Sequence, residues 1–380
     1  ATDSTPISKE EKDQIIMGKV EIVLNSLPMS GGDGPYSYSN NSHLQRRTAS
    51  LLKETIDKLI MEKLDAKTLI YDSNTFHIAD LGCATGPNTF FLVDDIIKSV
   101  ETSLRSNSLK TTKPEFLVFF NDLPKNDFNT LFTSLPQDRS YFAVGVPGSF
   151  YGRVLHQSSV HIVVTVGATH WLSSVPKEVL VKDSNAWNKG KVHYSNAAEE
   201  VVKAYEEQFG RDMEKFLEAR AREIVRGGLL FVGMCGIPQG MSFSNLADSI
   251  MYTSMADVLI QMQSEGLITE EQVDTFNIPI YSASPEEVTI LVEKNDCFTV
   301  ESMELMDPTT WLKRPMNEED VRQWMVCIKA TMGALFINHF GDHLLDDIFD
   351  RLTAKLIGLT EKVESSYREK VMLFFALKRK

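Results

Sequence analysis

The chain has 380 residues, 43% of them hydrophobic, and a net charge of −13 at pH 7. This length exceeds the size at which a single hydrophobic core stops growing, so we expect one large α/β domain with an added layer or cap. The acidic charge argues against nucleic acid as a partner, because a negative surface repels the phosphate backbone.

Cysteine spacing and hydropathy indicate the compartment. The cysteines Cys83, Cys235, Cys297 and Cys327 are far apart and form no CxxC pair, which argues against a disulfide framework and a zinc knuckle. No apolar run approaches the roughly 18 residues that a membrane helix needs. We therefore expect a soluble, cytoplasmic protein that has no membrane partner.

Strands and helices are predicted to alternate along the first two thirds of the chain. Residues 1–27 are polar and charged and are expected to form a flexible tail. Apolar runs predict strands at 76–82, 115–122, 141–146, 160–168 and 227–236. Helical patterns occur at 43–64, 88–104, 127–135 and 196–225. This alternation predicts a doubly wound, mostly parallel α/β sheet with helices on both faces.

The last third is predicted to be a cap. Residues 237–367 have a mainly helical pattern, with one candidate strand at 297–305, and are expected to form a helical substrate-binding cap. The α/β domain is expected to comprise 28–236 and 368–380, with part of the cap at about 177–225. The apolar run near the C-terminus is expected to form a last edge strand.

A methionine-rich stretch in this cap, MSFSNLADSIMYTSMADVLIQMQSEG (241–266), has two interpretations. It can form a flexible helical core, or its methionines can line an adaptable apolar pocket. The sequence leaves both interpretations open.

A glycine-bearing loop follows the first predicted strand, in HIADLGCATGPNTF (77–90). It lacks the GxxxxGK[ST] pattern of a phosphate-binding loop. It also lacks the GxGxxG pattern of a dinucleotide site, and the next acid at a strand end, Asp122, comes about 40 residues after Gly82, twice the usual distance. The loop therefore suits a nucleotide-like ligand that has no pyrophosphate.

S-adenosylmethionine is a ligand of that kind, because it combines an amino-acid end, a sulfonium and an adenosine. Asp80 at the first strand end can pair with the ammonium, and Asp122 at the second can accept hydrogen bonds from the ribose hydroxyls. The alternative interpretation is that Asp80 only caps the turn.

Several motifs carry a resemblance to one family. They are GGDGPYSYSNNSHLQ (31–45), ADLGCATGPNT (79–89), FFNDLPKNDFNTLF (119–132), VPGSFYGRVL (146–155) and THWLSSVP (169–176). Together they resemble the plant SABATH methyltransferases, over essentially the whole chain from about residue 28. The segment AWNKGKVHYSNAAEEVVKAYEEQF (186–209) is most similar to the branch that methylates iridoid and terpenoid acids.

The resemblance implies a fold, a reaction and a set of cofactor contacts. It implies a Rossmann-like methyltransferase sheet, a homodimer, and methyl transfer from S-adenosylmethionine to the carboxylate of a small or medium organic acid. The products would be a methyl ester and S-adenosylhomocysteine. The matching cofactor-binding positions are Tyr38, Asp80, Cys83, Asn88, Asp122, Leu123, Ser149 and Phe150.

On the substrate side, the resemblance implies that the Gln45 amide and the Trp171 indole N–H hold the carboxylate, with Tyr38 and His170 beside them. The chain departs from the family motif in TVGATHW, where Gly167 stands in place of a tyrosine. The glycine either admits a bulkier acid or weakens transfer, and the sequence leaves this open. Gly167→Tyr is expected to narrow acceptance to small acids.

A magnesium site is also implied by the resemblance, through Asn188, Asp274, the carbonyl of Phe276, and Asn277. One carboxylate with neutral oxygens suits a hard cation, and its role would be structural. The alternative interpretation is an ordinary turn at a helix end in VDTFNIP.

No acid–base pair is expected in catalysis, because a carboxylic acid is already ionised at pH 7. Two alternative functions remain at this point. An N-methyltransferase acting on an alkaloid ring would share every cofactor motif, although Gln45 favours a carboxylate. A cofactor-binding paralogue with weak or no turnover would be consistent with Gly167.

Overall fold

The computed structural model describes residues 27–70, 74–106, 113–308 and 315–380. Of the tail predicted over 1–27, all but Leu27 therefore lies outside the described residues. No helix in the described ranges combines the length and hydropathy needed to cross a membrane.

A seven-stranded sheet forms the centre of the described structure. Its order is β3-β2-β1-β4-β5-β7-β6, and the predicted doubly wound, mostly parallel sheet is confirmed. Strands β1 to β5 are parallel, whereas β7 is antiparallel to both of its neighbours. The strands are β1 Thr75–Leu81, β2 Glu115–Asp122, β3 Tyr141–Pro147, β4 Val160–Val166, β5 Ile224–Cys235, β6 Phe298–Met306 and β7 Met372–Arg379.

Helices cover both faces of this sheet. One face packs against helices that include α2 and α4, and the other against α6 and α9. Strands with both faces covered are apolar throughout, as in VHIVVTV of β4. The helices are α1 Tyr38–Asn41, α2 His43–Lys63, α3 Ala66–Ile70, α4 Asn88–Ser106, α5 Phe128–Thr133, α6 Glu199–Glu223 and α9 Pro285–Asn295.

The remaining helices form a cap with its own hydrophobic core, in which Leu259, Met262, Phe336 and Leu352 are almost fully buried. Capping boxes, in which two side chains satisfy the first free backbone N–H groups, start α8 at Thr269 and α10 at Asn317. The cap helices are α7 Ala247–Ser264, α8 Glu270–Thr275, α10 Glu318–Phe340, α11 Leu345–Ile357 and α12 Thr360–Ser365.

The C-terminal strand is not at the edge of the sheet, so that prediction is wrong. Strand β7 lies between β5 and β6, and β6 is the outer strand. The sequences explain this order, because MLFFALKR of β7 is buried on both faces whereas FTVESMELM of β6 is largely half-buried or exposed. The proposed domain division stays a prediction, and the sheet takes β6 from within the range 237–367.

The strand order places a crevice beside β1. Because the order runs outward in both directions from β1 and β4, the loops that follow these two strands turn toward opposite faces and leave a space between them. The motifs singled out in the sequence lie in the loops that follow β1, β2, β3 and β4, and in the segment that leads through α1 into α2.

Candidate active site

The loop after β1 needs glycine at its first position. Gly82 has φ +82°, and a Cβ there would lie 2.4 Å from Cβ of Ala168. The N–H groups of Gly82 and Cys83 donate to the carbonyl oxygen of Asn121, at 2.8 and 3.0 Å. The backbone of this loop is therefore fixed close to the end of β2, with no room for a side chain at residue 82.

Asp122 lies at the end of β2 and faces this loop. Its carboxylate accepts hydrogen bonds from the backbone N–H of Ala84 at 2.8 Å and of Leu123 at 2.7 Å. Burial raises the pKa of Asp122 to about 6, although these two bonds oppose the rise. The carboxylate thus has a fixed orientation and keeps acceptor capacity for a ligand.

Asp80 is the second acid of the region, and it lies almost fully buried behind the loop. Its carboxylate accepts a hydrogen bond from Oγ1 of Thr89. Burial raises the pKa of Asp80 to about 7, and the nearby charge of Asp122 adds to the rise. Two desolvated carboxylates so close together favour a ligand that carries positive charge.

Ser149 and Phe150 lie in the loop after β3, which a buried ion pair at the end of α6 holds in place. Arg220 donates to the carbonyl oxygen of Phe150 at 2.7 Å and to Glu223 at 2.8 Å. Glu223 in turn accepts from the backbone N–H of Val154 at 2.6 Å. This support aims the Phe150 ring toward the glycine loop, 3.7 Å from where a Cβ on residue 82 would stand.

Tyr38 is brought to the same region by α1. Asn88 hydrogen-bonds the Tyr38 side chain and donates to the Ser42 hydroxyl at 2.9 Å. The preceding segment is tied to α5, because Gly32 N–H donates to the carboxylate of Asp127 at 2.8 Å. Burial raises the pKa of Tyr38 far above its ordinary value, so its phenol stays protonated.

Gln45 and Trp171 approach from opposite sides, on α2 and on the loop after β4. The Oε1 atom of Gln45 is buried and has no hydrogen-bond partner among the described residues. Tyr151 fixes the backbone at Trp171, because its hydroxyl donates to the Trp171 carbonyl oxygen at 2.5 Å. Both side chains line the cavity described below.

His170 precedes Trp171 and is neutral at physiological pH, since burial lowers its pKa to about 4. Its Nδ1 accepts from the backbone N–H of Cys235 at 3.5 Å. This contact favours the tautomer that carries hydrogen on Nε2, so that this nitrogen can act as a donor.

Gly167 stands in open space, with no atom within 4 Å of the position that a Cβ would occupy. Its backbone, however, has φ +75°, a conformation that side-chain-bearing residues adopt at a cost. The cavity therefore has room for a side chain here, while the backbone favours glycine.

One cavity brings most of the predicted site residues together. It has a volume of about 420 Å³, within the range of small-molecule sites. Asp80, Cys83 and Asn88 do not line it: they are packed around the loop, and burial raises the pKa of the Cys83 thiol well above its usual value. The predicted residues that line it are Tyr38, Gln45, Asp122, Leu123, Ser149, Phe150, Gly167, His170 and Trp171.

The cap supplies cavity residues that were not predicted individually. They come from α7 and α10 and are mostly apolar: Met251, Tyr252, Trp324, Ile328 and Met332, together with the acid Asp248. The methionine-rich stretch was the one sequence signal for them. Both of its interpretations hold, because Met251 lines the cavity whereas Met255 and Met262 are buried in the cap core.

The residues of the implied magnesium site lie together, away from this cavity. The Asn188 amide donates to Oδ1 of Asn277 at 2.7 Å, and the carboxylate of Asp274 accepts from Gly190 N–H at 3.0 Å. The Nδ2 atom of Asn277 is buried without a partner in the described structure. Within those same ranges, no three His, Cys, Asp or Glu side chains converge as a metal site.

The cavity fits a nucleoside-bearing cation on its sheet side. It combines a carboxylate at the end of β2, an aromatic face at Phe150, and a loop at Gly82 that a Cβ would fill. Its cap side offers a separate, apolar space that begins at Gln45 and Trp171. Two ligands can therefore lie end to end, one against the sheet and one under the cap.

Comparisons with known proteins agree with this geometry. A family model described as SAM-dependent carboxyl methyltransferase matches residues 24–380. Loganic acid O-methyltransferase of Catharanthus roseus is 42% identical over 97% of this chain and 98% of its own length. Farnesoic acid carboxyl-O-methyltransferase of Arabidopsis thaliana is 39% identical over 87% of this chain and 92% of its own length.

A solved structure of loganic acid methyltransferase with SAH superposes with a TM-score of 0.88 and 42% identity, covering 93% of this chain and 99% of that one. Both the sequence and the fold therefore match the same group of proteins over nearly their full length. The chain belongs to the family of S-adenosylmethionine-dependent carboxyl methyltransferases, as the resemblance in its sequence indicated.

Proposed function

We propose that the protein methylates organic acids of medium size whose body is largely apolar, and that Gln45 and Trp171 hold the carboxylate. The observation that carries this proposal is the single cavity that joins Asp122 and Phe150, through these two residues, to the apolar side chains of α7 and α10. Relatives named for loganic acid and farnesoic acid support a substrate of this size and class.

The cofactor would lie on the sheet side of the cavity. Asp122 would accept hydrogen bonds from the ribose hydroxyls, and Phe150 and Ser149 would contact the adenine. Asp80 would act from behind the glycine loop, as a negative charge close to the ammonium. When bound, S-adenosylmethionine supplies an electrophilic methyl group and leaves as S-adenosylhomocysteine.

The substrate carboxylate would be held by groups that only orient it. The Trp171 indole can donate one hydrogen bond and the Gln45 amide another. Neutral His170 would offer a third donor at Nε2. Because its pKa is lowered, the side chain carries no positive charge near the cofactor. Because the acid is already ionised at pH 7, none of these residues needs to remove a proton.

Catalysis would then come from proximity and from removal of water. Holding the carboxylate oxygen in line with the methyl group replaces a bimolecular encounter by an oriented contact. The apolar walls from Met251, Ile328 and Met332 would keep water from solvating the attacking oxygen.

A product assay over a panel of organic acids and alkaloid bases tests this function. We expect methyl esters from medium-sized acids and no N-methylated product. N-methylation of a base would favour the alkaloid alternative. Cofactor binding in calorimetry without any product over the whole panel would favour a paralogue without turnover.

A structural magnesium ion at Asn188, Asp274, the Phe276 carbonyl and Asn277 is a further part of the proposal. The pairing of Asn188 with Asn277, and the Asp274 carboxylate held by Gly190 N–H, support a cluster whose oxygen atoms could surround a hard cation. Millimolar magnesium should raise the melting temperature of the wild type but not of Asp274→Ala. Equal shifts in both proteins, or none in either, would contradict the site.

A homodimer in the cytoplasm completes the proposal. The family resemblance supports the dimer, and the four free cysteines of the described structure support a reducing compartment. Light scattering should give twice the monomer mass, and a fluorescent fusion should fill the cytoplasm. A monomer, or a fusion confined to an organelle, would contradict the respective part.

A further inference from the structure

Asp248 is an acid in the cavity that the proposed reaction does not use. It lies in the first turn of α7, and its side chain lines both the substrate cavity and a smaller adjoining cavity of about 150 Å³. No hydrogen bond or ion pair joins it to any other described residue. The carboxylate therefore has acceptor capacity for a ligand in either cavity.

Asp248 lies among protein groups but remains accessible to solvent. The side chain is exposed to the space between the two cavities, while the protein packed around that space raises the pKa of Asp248 to about 6. It is therefore largely ionised at pH 7. Its titratable neighbours Tyr252 and Cys235 both have raised pKa values, so neither supplies a charge.

The smaller cavity carries several polar side chains. Ser282, Gln323, Arg368 and Asp320 contribute a hydroxyl, an amide, a guanidinium and a carboxylate to its lining. Five residues line both cavities, so the two spaces adjoin: Leu44, Cys235, Asp248, Trp324 and Val371. A substrate that fills the apolar space with its carboxylate at Gln45 can extend its far end to this boundary.

We propose that Asp248 determines specificity by accepting hydrogen bonds from one or more hydroxyl groups at the end of the substrate remote from the methylated carboxylate. This inference rests on the proposed function, because it takes the substrate carboxylate to be held at Gln45 and Trp171. The hydroxylated end would extend toward Gln323 in the smaller cavity.

Hydroxyl groups fit this boundary better than the other polar groups a small acid carries. A second carboxylate would be repelled by Asp248. An ammonium could pair with Asp248, but it would also meet the Arg368 guanidinium, which lines the same cavity together with Asp320. A hydroxyl can donate to Asp248 and also accept from an amide such as Gln323, so it satisfies both kinds of group.

Calorimetry on the protein saturated with S-adenosylhomocysteine tests the proposal without requiring turnover. The ligands are straight-chain acids of increasing length, each in an unsubstituted, an ω-hydroxy and an ω-amino form. We expect at least one length at which the hydroxy acid binds about tenfold or more tightly than the unsubstituted acid, since a hydrogen bond to a charged acceptor is stronger than one between neutral groups.

Asp248→Leu should abolish or reverse this preference, while S-adenosylhomocysteine affinity stays unchanged. Asp248→Asn keeps an acceptor and nearly the same shape, and should retain part of the preference if the leucine variant fails to fold. The matched control is Asp257→Leu, on the same helix outside both cavities, which should behave as wild type.

Three results would overturn the proposal. They are no preference for the ω-hydroxy acid in the wild type, an equal preference in Asp248→Leu, or binding of the ω-amino acid more tightly than the other two forms. Ester formation from the same acids is measured in parallel. Hydroxyl-selective binding without ester would overturn the proposed function alone, and ester formation without selectivity would overturn this inference alone.

Discussion

Gly167 is the residue at which the sequence analysis predicted a departure from the family motif, and its backbone determines how that prediction must be tested. Gly167→Tyr introduces a ring into open cavity and also forces a side chain onto a backbone at φ +75°. Gly167→Ala introduces only the second effect, which costs about 1–2 kcal/mol. We expect the tyrosine variant to lose activity selectively on bulky acids, and the alanine variant to keep the wild-type ratio.

The measurement is kcat/KM for one small and one bulky acid in the wild type and both variants. The prediction concerns the kcat/KM for the bulky acid divided by that for the small acid. If this ratio stayed the same in the tyrosine variant, it would contradict the view that Gly167 widens the pocket. An equal fall for both acids in both variants would assign the effect to the backbone.

The two buried acids predict a pH dependence of cofactor binding. The pKa of Asp122 is about 6 and that of Asp80 about 7 in the free protein. A cationic ligand stabilises the ionised forms, so its affinity is highest above these values and falls as the pH drops through them. Calorimetry should show the S-adenosylmethionine Kd rising about tenfold or more from pH 8 to pH 5.

Asp80→Asn separates binding from stability. It should weaken cofactor binding and flatten its pH dependence near pH 7. Since a raised carboxyl pKa means that the fold loses stability as pH rises from about 4 to 7, the ligand-free variant should resist urea better than the wild type at pH 8. A Kd independent of pH in the wild type, or a less stable variant, would contradict this account.

At the scale of single residues, the sequence predicted the sheet side of the cavity well and the cap side poorly. Asp122 and Phe150 lie in short motifs next to strands, where local sequence determines position. Asp248 and Ile328 lie on helices far away in the chain, and only long-range packing brings them to the site. The contact predicted for Asp80 stays a prediction: its side chain does not line the cavity but is buried beside the loop that does.

At the scale of elements, hydrogen bonds from the end of α6 fix the loop that carries Ser149 and Phe150. Arg220 and Glu223 are fully buried, and together they bind backbone groups of Phe150, Gly152, Val154 and Leu155. Arg220→Met would leave Glu223 buried without its partner, which costs about 3–5 kcal/mol. It should also weaken S-adenosylmethionine binding, because the adenine contacts lose their support.

Urea unfolding and calorimetry measure the two effects of Arg220→Met. Arg222→Met, on the same turn but exposed, is the matched control and should change neither. If Arg220→Met lost stability but kept the wild-type cofactor Kd, the ion pair would support the fold without positioning the loop.

The order of the strands could be predicted only in part, and β6 and β7 show why. The apolar runs predicted that both are strands, but chain position suggested that the last would be outermost. The side-chain patterns indicate the opposite, because MLFFALKR has no polar face to expose until its last residues. Burial on both faces, not order along the chain, decides which strand is central.

At the scale of the whole molecule, the enzyme is a cofactor-binding sheet and a cap that meet at Gln45 and Trp171. Under the proposed function, the sheet side binds the cofactor and the cap side selects the acid. This division explains why the family and the reaction could be predicted from the sequence, whereas the identity of the substrate acid could not. Its selection depends on how α7 and α10 pack, which no local pattern encodes.

The most direct test of this account is the kinetics of Gln45→Leu and Trp171→Phe, together with their cofactor affinity. Each variant removes one donor and keeps most of the side-chain volume. We predict that kcat/KM for methyl ester formation falls about tenfold or more in each, while the S-adenosylmethionine Kd stays at the wild-type value. Unchanged kcat/KM in both variants would contradict the claim that these two residues hold the carboxylate.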